Sequence, residues 1–244
     1  AVGDPSALVT GVSIDSRLID KNQLFVPIKA KRNGHDFVSD AIRNGATGHL
    51  FSEGKAQGNA VKVNDTLIAL QDLAKFERKR ITGDVIGITG SVGKTTTKDI
   101  LFASLRKLTE VHVSKLSFNN ELGLPLTILS AESSTKHLIL EMGARGPGQI
   151  AELAKIATPT IGIVTRVASA HTQFFQDIDH IAETKGALVE LLPSSGTAIL
   201  NNDDPRVAEM AKLTNARIVT YGLENATVTA ENISIENDLT TSFQ

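Results

Sequence analysis

The chain has 244 residues, 41% of them hydrophobic, a formal net charge of −2 and no cysteine. That length holds one or two domains with a proper core. A near-neutral charge without a basic stripe argues against a nucleic-acid partner, and the missing cysteines exclude disulfides, thiolate metal sites and cysteine catalysis. No apolar run reaches the roughly 18 residues of a membrane span, and no charged-then-apolar signal opens the chain, so a soluble, cytoplasmic protein is expected; a monomer is expected as well.

Residues 1–82 read as a small α/β unit, with strands at 9–14, 24–28, 48–51 and 60–63 and helices at 36–44 and 66–80. After the first strand, Asp15-Ser16-Arg17 offers a guanidinium and a hydroxyl that match the oxygens of a diphosphate. Glu77-Arg78-Lys79-Arg80 closes the second helix as a solvated last turn, its cations suiting the helix C-terminus.

From residue 83 onward strands and helices alternate. Strands are expected at 85–89, 111–114, 137–141, 160–165, 197–201 and 217–221, and helices at 95–108, 148–157 and 178–192. The fold class is therefore α/β, a mostly parallel sheet with helices on both faces behind the smaller N-terminal α/β unit. Ligands of such sheets collect at the carboxyl ends of the strands.

The strongest motif is Gly87-Ile88-Thr89-Gly90-Ser91-Val92-Gly93-Lys94-Thr95-Thr96-Thr97, which leads from an apolar strand into a helix. Gly90, Ser91, Val92, Gly93, Lys94, Thr95 and Thr96 form a phosphate cradle of the P-loop kind. Backbone amides surround phosphate oxygens, Lys94 adds charge, Thr95 offers a hydroxyl to Mg2+, and the helix start contributes its dipole. The strict spacing G-x-x-x-x-G-K-[ST] fails, because its first glycine would fall on Ile88; the variant here is G-x-x-G-x-x-G-K-T. The helix that follows is expected to bury Thr97, Ile100, Leu101, Ser104, Leu105 and Leu108.

Other residues reach the same sheet edge. Glu141 ends the apolar strand Leu138-Ile139-Leu140, the place of an acidic residue beside nucleotide-bound Mg2+. His171 follows the strand at 160–165 by a short turn. Lys185 lies within the helix at 178–192, whose buried stripe is Ile181, Leu188 and Leu192, and pattern alone reads it as a solvated helix lysine. Asn201-Asn202-Asp203-Asp204-Pro205 suits a turn and helix start, with an Asx cap and Pro205 in the first turn.

Together these segments resemble the Mur ligase family, the ATP-dependent amide-forming enzymes of peptidoglycan precursor synthesis. The resemblance rests on the glycine loop through Lys98, on Asn119-Asn120-Glu121-Leu122-Gly123-Leu124-Pro125-Leu126-Thr127, on Glu141-Met142-Gly143-Ala144-Arg145-Gly146-Pro147-Gly148 and on Asn201 to Pro205. The second and third stretches look most like the member that adds D-alanyl-D-alanine to UDP-N-acetylmuramoyl-tripeptide. Asp15-Ser16-Arg17, Gly34-His35-Asp36-Phe37 and Asn44-Gly45-Ala46 follow the pattern of its uridine-nucleotide-binding domain.

The resemblance implies that residues 1–82 bind the UDP-muramoyl peptide, that residues 83–244 are an incomplete ATP-binding domain, and that a third, C-terminal domain is missing. It implies Lys94, Glu141, His171 and Lys185 as catalytic residues. Thr95, Glu141 and His171 would surround Mg2+, a carbamylated Lys185 would bridge a second Mg2+, and Asn201 would contact adenine. Ser16 and Arg17 would hold the uridine diphosphate, while Asn119, Asn120 and Thr127 would belong to a loop facing the muramoyl peptide. Val92, Arg166, Ala168 and Ala30 depart from the family pattern, Arg166 most consequentially because it stands near the metal. The family's Gly-x-His-Asn segment is not reached by Gln244, so a fragment with little turnover is expected. A neighbouring Mur or folylpolyglutamate-type ligase, a short paralogue and a non-catalytic nucleotide-binding module remain the alternatives.

Overall fold

The structure is a computed structural model that describes residues 1–114, 118–169, 175, 177–235 and 240–244. Near the N-terminus, β1 (Gly11–Ser13), β2 (Gln23–Phe25), β3 (Gly48–Phe51) and β4 (Ala60–Lys62) pair in that order as a four-stranded parallel sheet. The single helix expected over 36–44 divides into a 3-10 turn, Gly34–Phe37, and α1 (Val38–Arg43). The Asn33 side chain accepts from the His35 amide and starts the turn. α2 (Thr66–Arg78) starts on Asp65, whose carboxylate accepts from the Leu67 and Ile68 amides, and it buries Leu70 and Ala74 at helical spacing.

The second sheet comprises β5 (Asp84–Thr89), β6 (Val111–Val113), β7 (His137–Glu141), β8 (Ile161–Val164), β9 (Thr197–Asn201), β10 (Arg217–Gly222) and β11 (Val228–Thr229). Its order is β11-β10-β9-β8-β5-β7-β6, and every pairing is parallel. Central strands of such a sheet are buried on both faces, which is why they read as continuous apolar runs. Val85, Leu138 and Leu140 face one core, whereas Ile86, Ile88, Ile139 and Ile163 face the other. β12 (Ser234–Ile235) and β13 (Thr241–Ser242) form a separate antiparallel pair near the C-terminus.

α3 (Lys94–Leu105) follows β5. Its packed face differs from the expected one: Ile100 and Leu108 are 63% and 82% exposed, and Leu101, Phe102 and Leu105 pack against the isoleucines of β5, β7 and β8. Lys98 completes that face, giving the spacing i, i+3, i+4, i+7 of a helix stripe. A buried lysine in the stripe moved the apparent phase of the pattern.

α4 (Gly123–Leu129) replaces what was expected to be a loop. Apart from Thr127 it is apolar all round, because it is wedged between the two units. Leu124 and Ile128 join the core under β5 and β7, while Leu122, Leu126 and Leu129 pack on Val26, Leu50 and Leu70 of the N-terminal unit. The remaining helices are α5 (Gln149–Ala157), α6 (Ile178–Glu190) and α7 (Pro205–Glu209).

Arg78 is not the solvated last-turn cation expected of it. Its Nε donates to the Ala157 carbonyl at 2.6 Å, and its two terminal nitrogens donate to the Ile81 and Thr158 carbonyls at 2.8 and 3.0 Å. The last carbonyls of a helix have no intrahelical partner. Arg78 supplies one to the end of α5 and staples α2 to it.

Candidate active site

Around β5 the strand order reverses: β7 and β6 lie on one side, and β8 and β9 on the other. A crevice opens at the carboxyl edge of a parallel sheet at such a point. The glycine loop occupies it. Gly93 has φ +84° immediately before α3, in the region that favours glycine, and it delivers the chain into the helix. The first amides of α3 have no intrahelical acceptor and point with the helix dipole into the crevice.

The loop is braced from β8. The Thr165 hydroxyl donates to the Val92 carbonyl at 2.6 Å, and the Thr165 amide donates to the Thr89 carbonyl at 3.0 Å. The Ser91 amide donates to the Arg166 carbonyl at 2.6 Å, and the Ser91 hydroxyl exchanges hydrogen bonds with the carbonyl and amide of Ala168. Buried Asp204 supports this brace from α7, one oxygen accepting from the Val167 amide and the other from the Arg206 amide. Arg166 thus serves through its backbone, and its side chain is exposed. Val92 likewise contributes a carbonyl while its side chain is half exposed, which explains why valine suffices there.

Lys94 curls back over the loop, donating to the Gly90 carbonyl at 2.9 Å. Burial lowers its pKa, opposed by the Glu141 carboxylate. Glu141 ends β7 with only 2% of its surface exposed. One carboxylate oxygen accepts from the Thr95 hydroxyl at 2.9 Å and the other from the Asn119 amide at 2.8 Å. Lys185 is 5% exposed, contrary to the solvated reading, because it lies on the same helix face as Ile181 and Leu188. It has no hydrogen-bond partner among the described residues, and burial, with Lys94 second, lowers its pKa to about 8.

Lys94, Lys185, Asn119, Asn120, Arg145 and Gln149 line a cavity of about 630 Å³. A second cavity of about 640 Å³ lies in the N-terminal unit, lined by Ser16, Arg17, Arg32, Phe37, Arg43 and Asn44. Ile14 lines both, so the two adjoin. In the second cavity Arg17 is held by Asp15, its Nε and a terminal nitrogen donating to the carboxylate at 2.9 and 2.6 Å. That pairing lowers the Asp15 pKa to about 2. The Arg32 guanidinium stacks 4.3 Å above the Phe37 ring.

The residues expected at the site fall into distinct groups. Lys94, Thr95 and Glu141 converge at the loop, with Lys185 lining the same cavity, and Gly90, Ser91, Val92, Gly93 and exposed Thr96 form the turn and helix start. Ser16 and Arg17 line the second cavity. Asn120 lines the first but also caps α4, its side-chain oxygen accepting from the Gly123 amide at 2.9 Å. Thr127 does not face the cavity: it is 3% exposed, and its hydroxyl donates to the Gly123 carbonyl within α4. Asn201 is committed on both sides, donating to the Thr165 carbonyl at 2.8 Å and accepting from the Asp203 amide at 3.0 Å. His171 lies outside the described residues. Sequence reasoning missed the bracing roles of Thr165 and Asp204; a threonine ending the neighbouring strand was the available signal.

The site fits a magnesium nucleotide. Thr95 and Glu141 are hard oxygen donors 2.9 Å apart, as Mg2+ requires, and the helix start beside Lys94 suits phosphate. No cluster of three or more histidine, cysteine or acidic residues that could hold a metal occurs among the described residues. Mg2+ is commonly held by one or two protein oxygens together with a ligand's phosphates.

The parallel sheet, the crevice at its order reversal and the braced glycine loop define an α/β protein with a loop of the P-loop kind. Residues 88–244 match the Mur ligase middle domain, and the chain belongs to that family. It is 38% identical over 238 residues to a UDP-N-acetylmuramoyl-tripeptide–D-alanyl-D-alanine ligase of Synechocystis sp., covering 93% of this chain and 52% of that relative. The structure of MurF from Acinetobacter baumannii superposes with a TM-score of 0.90 at 27% identity, over 97% of this chain and 52% of that one. MurF ligase from Thermotoga maritima in complex with ADP superposes with a TM-score of 0.87 at 31% identity, over 98% and 56%. The chain spans about half the length of the curated relatives it matches.

Proposed function

We propose that this chain is the nucleotide- and UDP-peptide-binding part of a cytoplasmic, ATP-dependent ligase that joins D-alanyl-D-alanine to UDP-N-acetylmuramoyl-tripeptide. The observation that carries this reading is the junction of the two cavities at Ile14. A ligand whose diphosphate rests by Ser16 and Arg17, in a domain made of residues 1–82, extends from there toward the loop made by residues 83–244. Its far carboxylate then reaches Lys94.

In the reaction, an oxygen of the peptide's terminal carboxylate attacks the γ-phosphorus of ATP, the bond to the β,γ-bridging oxygen breaks, and ADP leaves. The amine of D-alanyl-D-alanine then attacks the acyl carbon, loses a proton and displaces inorganic phosphate, leaving an amide. Lys94 and the loop amides meet the charge on the transferred phosphoryl group, so the protein acts by positioning and electrostatics. Thr95 and Glu141, with His171, would hold Mg2+, which supplies further charge neutralisation when bound. Lys185, with its lowered pKa, is suited to carbamylation and to a second Mg2+. Asn201 is assigned to the adenine end, and Asn119 and Asn120 to the peptide side.

Transfer of isotope tests this reading. A tripeptide substrate labelled with 18O in its terminal carboxylate, assayed with the complete gene product, ATP and D-alanyl-D-alanine, should release phosphate carrying one 18O. Unlabelled phosphate, or product formation indifferent to D-alanyl-D-alanine, would sink it.

A further inference from the structure

Asn119 borders the cavity that would receive the peptide, but its side chain points to the carboxylate at the heart of the loop. A carboxylate can only accept hydrogen bonds, so the atom 2.8 Å from Glu141 Oε1 must be the Asn119 amide nitrogen. The other carboxylate oxygen is held by Thr95 at 2.9 Å. Two donors on two oxygens fix the plane of Glu141 as well as its position. Asn119 is itself clamped: its carbonyl accepts from the Gly143 amide at 2.8 Å. A β-carbon at Gly143 would stand 2.9 Å from the Asn119 Cγ, so glycine at that position leaves room for the amide.

We propose that Asn119 is a positioning residue that sets the Glu141 carboxylate for Mg2+, and that Gly143 is glycine to admit it. The inference rests on the magnesium-nucleotide reading of the loop. It moves the first asparagine of Asn119-Asn120 from the peptide side to the metal side and leaves the second on the peptide side, where it also caps α4. A hydrogen-bonding partner behind a metal ligand orients that ligand, and its loss costs about 10- to 100-fold in metal affinity.

The test is calorimetric titration of the chain with ADP over a series of Mg2+ concentrations. For Asn119→Ala, the Mg2+ concentration that gives half of the maximal enhancement of ADP binding should rise by about tenfold or more, with Mg2+-free ADP binding unchanged. Gly143→Ala, which displaces the amide without touching Glu141, should do the same. In a Glu141→Gln background, Asn119→Ala should add nothing, an outcome that general destabilisation would not give. An unchanged Mg2+ dependence in either folded variant, or additive effects in the double variant, overturns the inference and leaves the nucleotide reading intact. A folded parent chain that binds no ADP overturns both.

Discussion

Gly90 and Thr165 meet so closely at the ends of β5 and β8 that a β-carbon on Gly90 would lie 1.8 Å from the Thr165 hydroxyl oxygen. That hydroxyl is committed to the Val92 carbonyl, so it cannot turn away without releasing the loop. Gly90→Ala is therefore expected to displace the cradle. Overpacking of this kind destabilises by about 1–3 kcal/mol, and ADP binding should be lost in a protein that still folds. Urea unfolding together with an ADP titration checks both; parent-like ADP affinity would show that the loop tolerates the shift.

Lys185 should exchange its proton far more readily than a surface lysine. With a pKa of about 8 rather than 10.5, about a quarter of its amine is neutral at about pH 7.5, against about one part in a thousand for an ordinary lysine. Only the neutral amine adds carbon dioxide. In 13C-bicarbonate at about pH 7.5, a carbamate resonance is expected beside that of the N-terminal amine, and it should be absent in Lys185→Arg. A spectrum identical for parent and variant removes Lys185 from that role.

Arg78 should matter more than its place in a charged run suggests. Its loss leaves the carbonyls of Ala157 and Thr158 at the end of α5 without their donor. Hydrogen bonds from a charged donor contribute about 1.5–3 kcal/mol, so Arg78→Ala should lower unfolding stability by about that amount. Lys79→Ala and Arg80→Ala should each change it by less than about 0.5 kcal/mol. Equal effects at the three positions in urea unfolding would contradict the staple.

His35 should make the N-terminal unit sensitive to acid. Its Nε2 accepts from the Ser52 amide at 3.1 Å, and its Nδ1 faces the Asn33 side-chain oxygen at 2.9 Å, so the neutral ring carries its proton on Nδ1. Protonating Nε2 would set two donors against each other. Burial lowers the pKa below 6.5, opposed by Glu53 and Asp36 and assisted by Lys29 and His49. Because the unfolded chain then binds more protons than the folded one, this contribution is present above about pH 6.5 and is lost as the pH falls through the lower folded value. His35→Gln, which can present an amide oxygen to Ser52 without titrating, should flatten the stability profile below about pH 6.5. An unaltered profile would exclude His35 as the source.

Much of this arrangement was legible in the residues. Gly48–Phe51, His137–Glu141 and Thr197–Asn201 fall where the pattern put them, because short apolar runs between turn residues leave little freedom of phase. The positions of the glycine loop and Glu141 were legible for the same reason, since the loop directly follows β5 and Glu141 ends β7. α4 was hidden because a helix buried on all sides has no polar face to mark its period, and Pro125 disguised its first turn. Lys98 was passed over and Lys185 misread for one shared reason: a lysine on a buried stripe looks like a break in it. Arg78 needed the end of α5, remote in sequence, to explain it.

The most direct measurement is calorimetry of the 244-residue chain with Mg·ATP and, separately, with UDP-N-acetylmuramoyl-tripeptide. Both should bind, and Lys94→Ala should abolish the first while only weakening the second, because the diphosphate end rests in the arginine-lined cavity, which among the described residues shares Ile14 alone with the cavity at the loop. A folded chain that binds neither ligand would contradict the assignment of the two cavities.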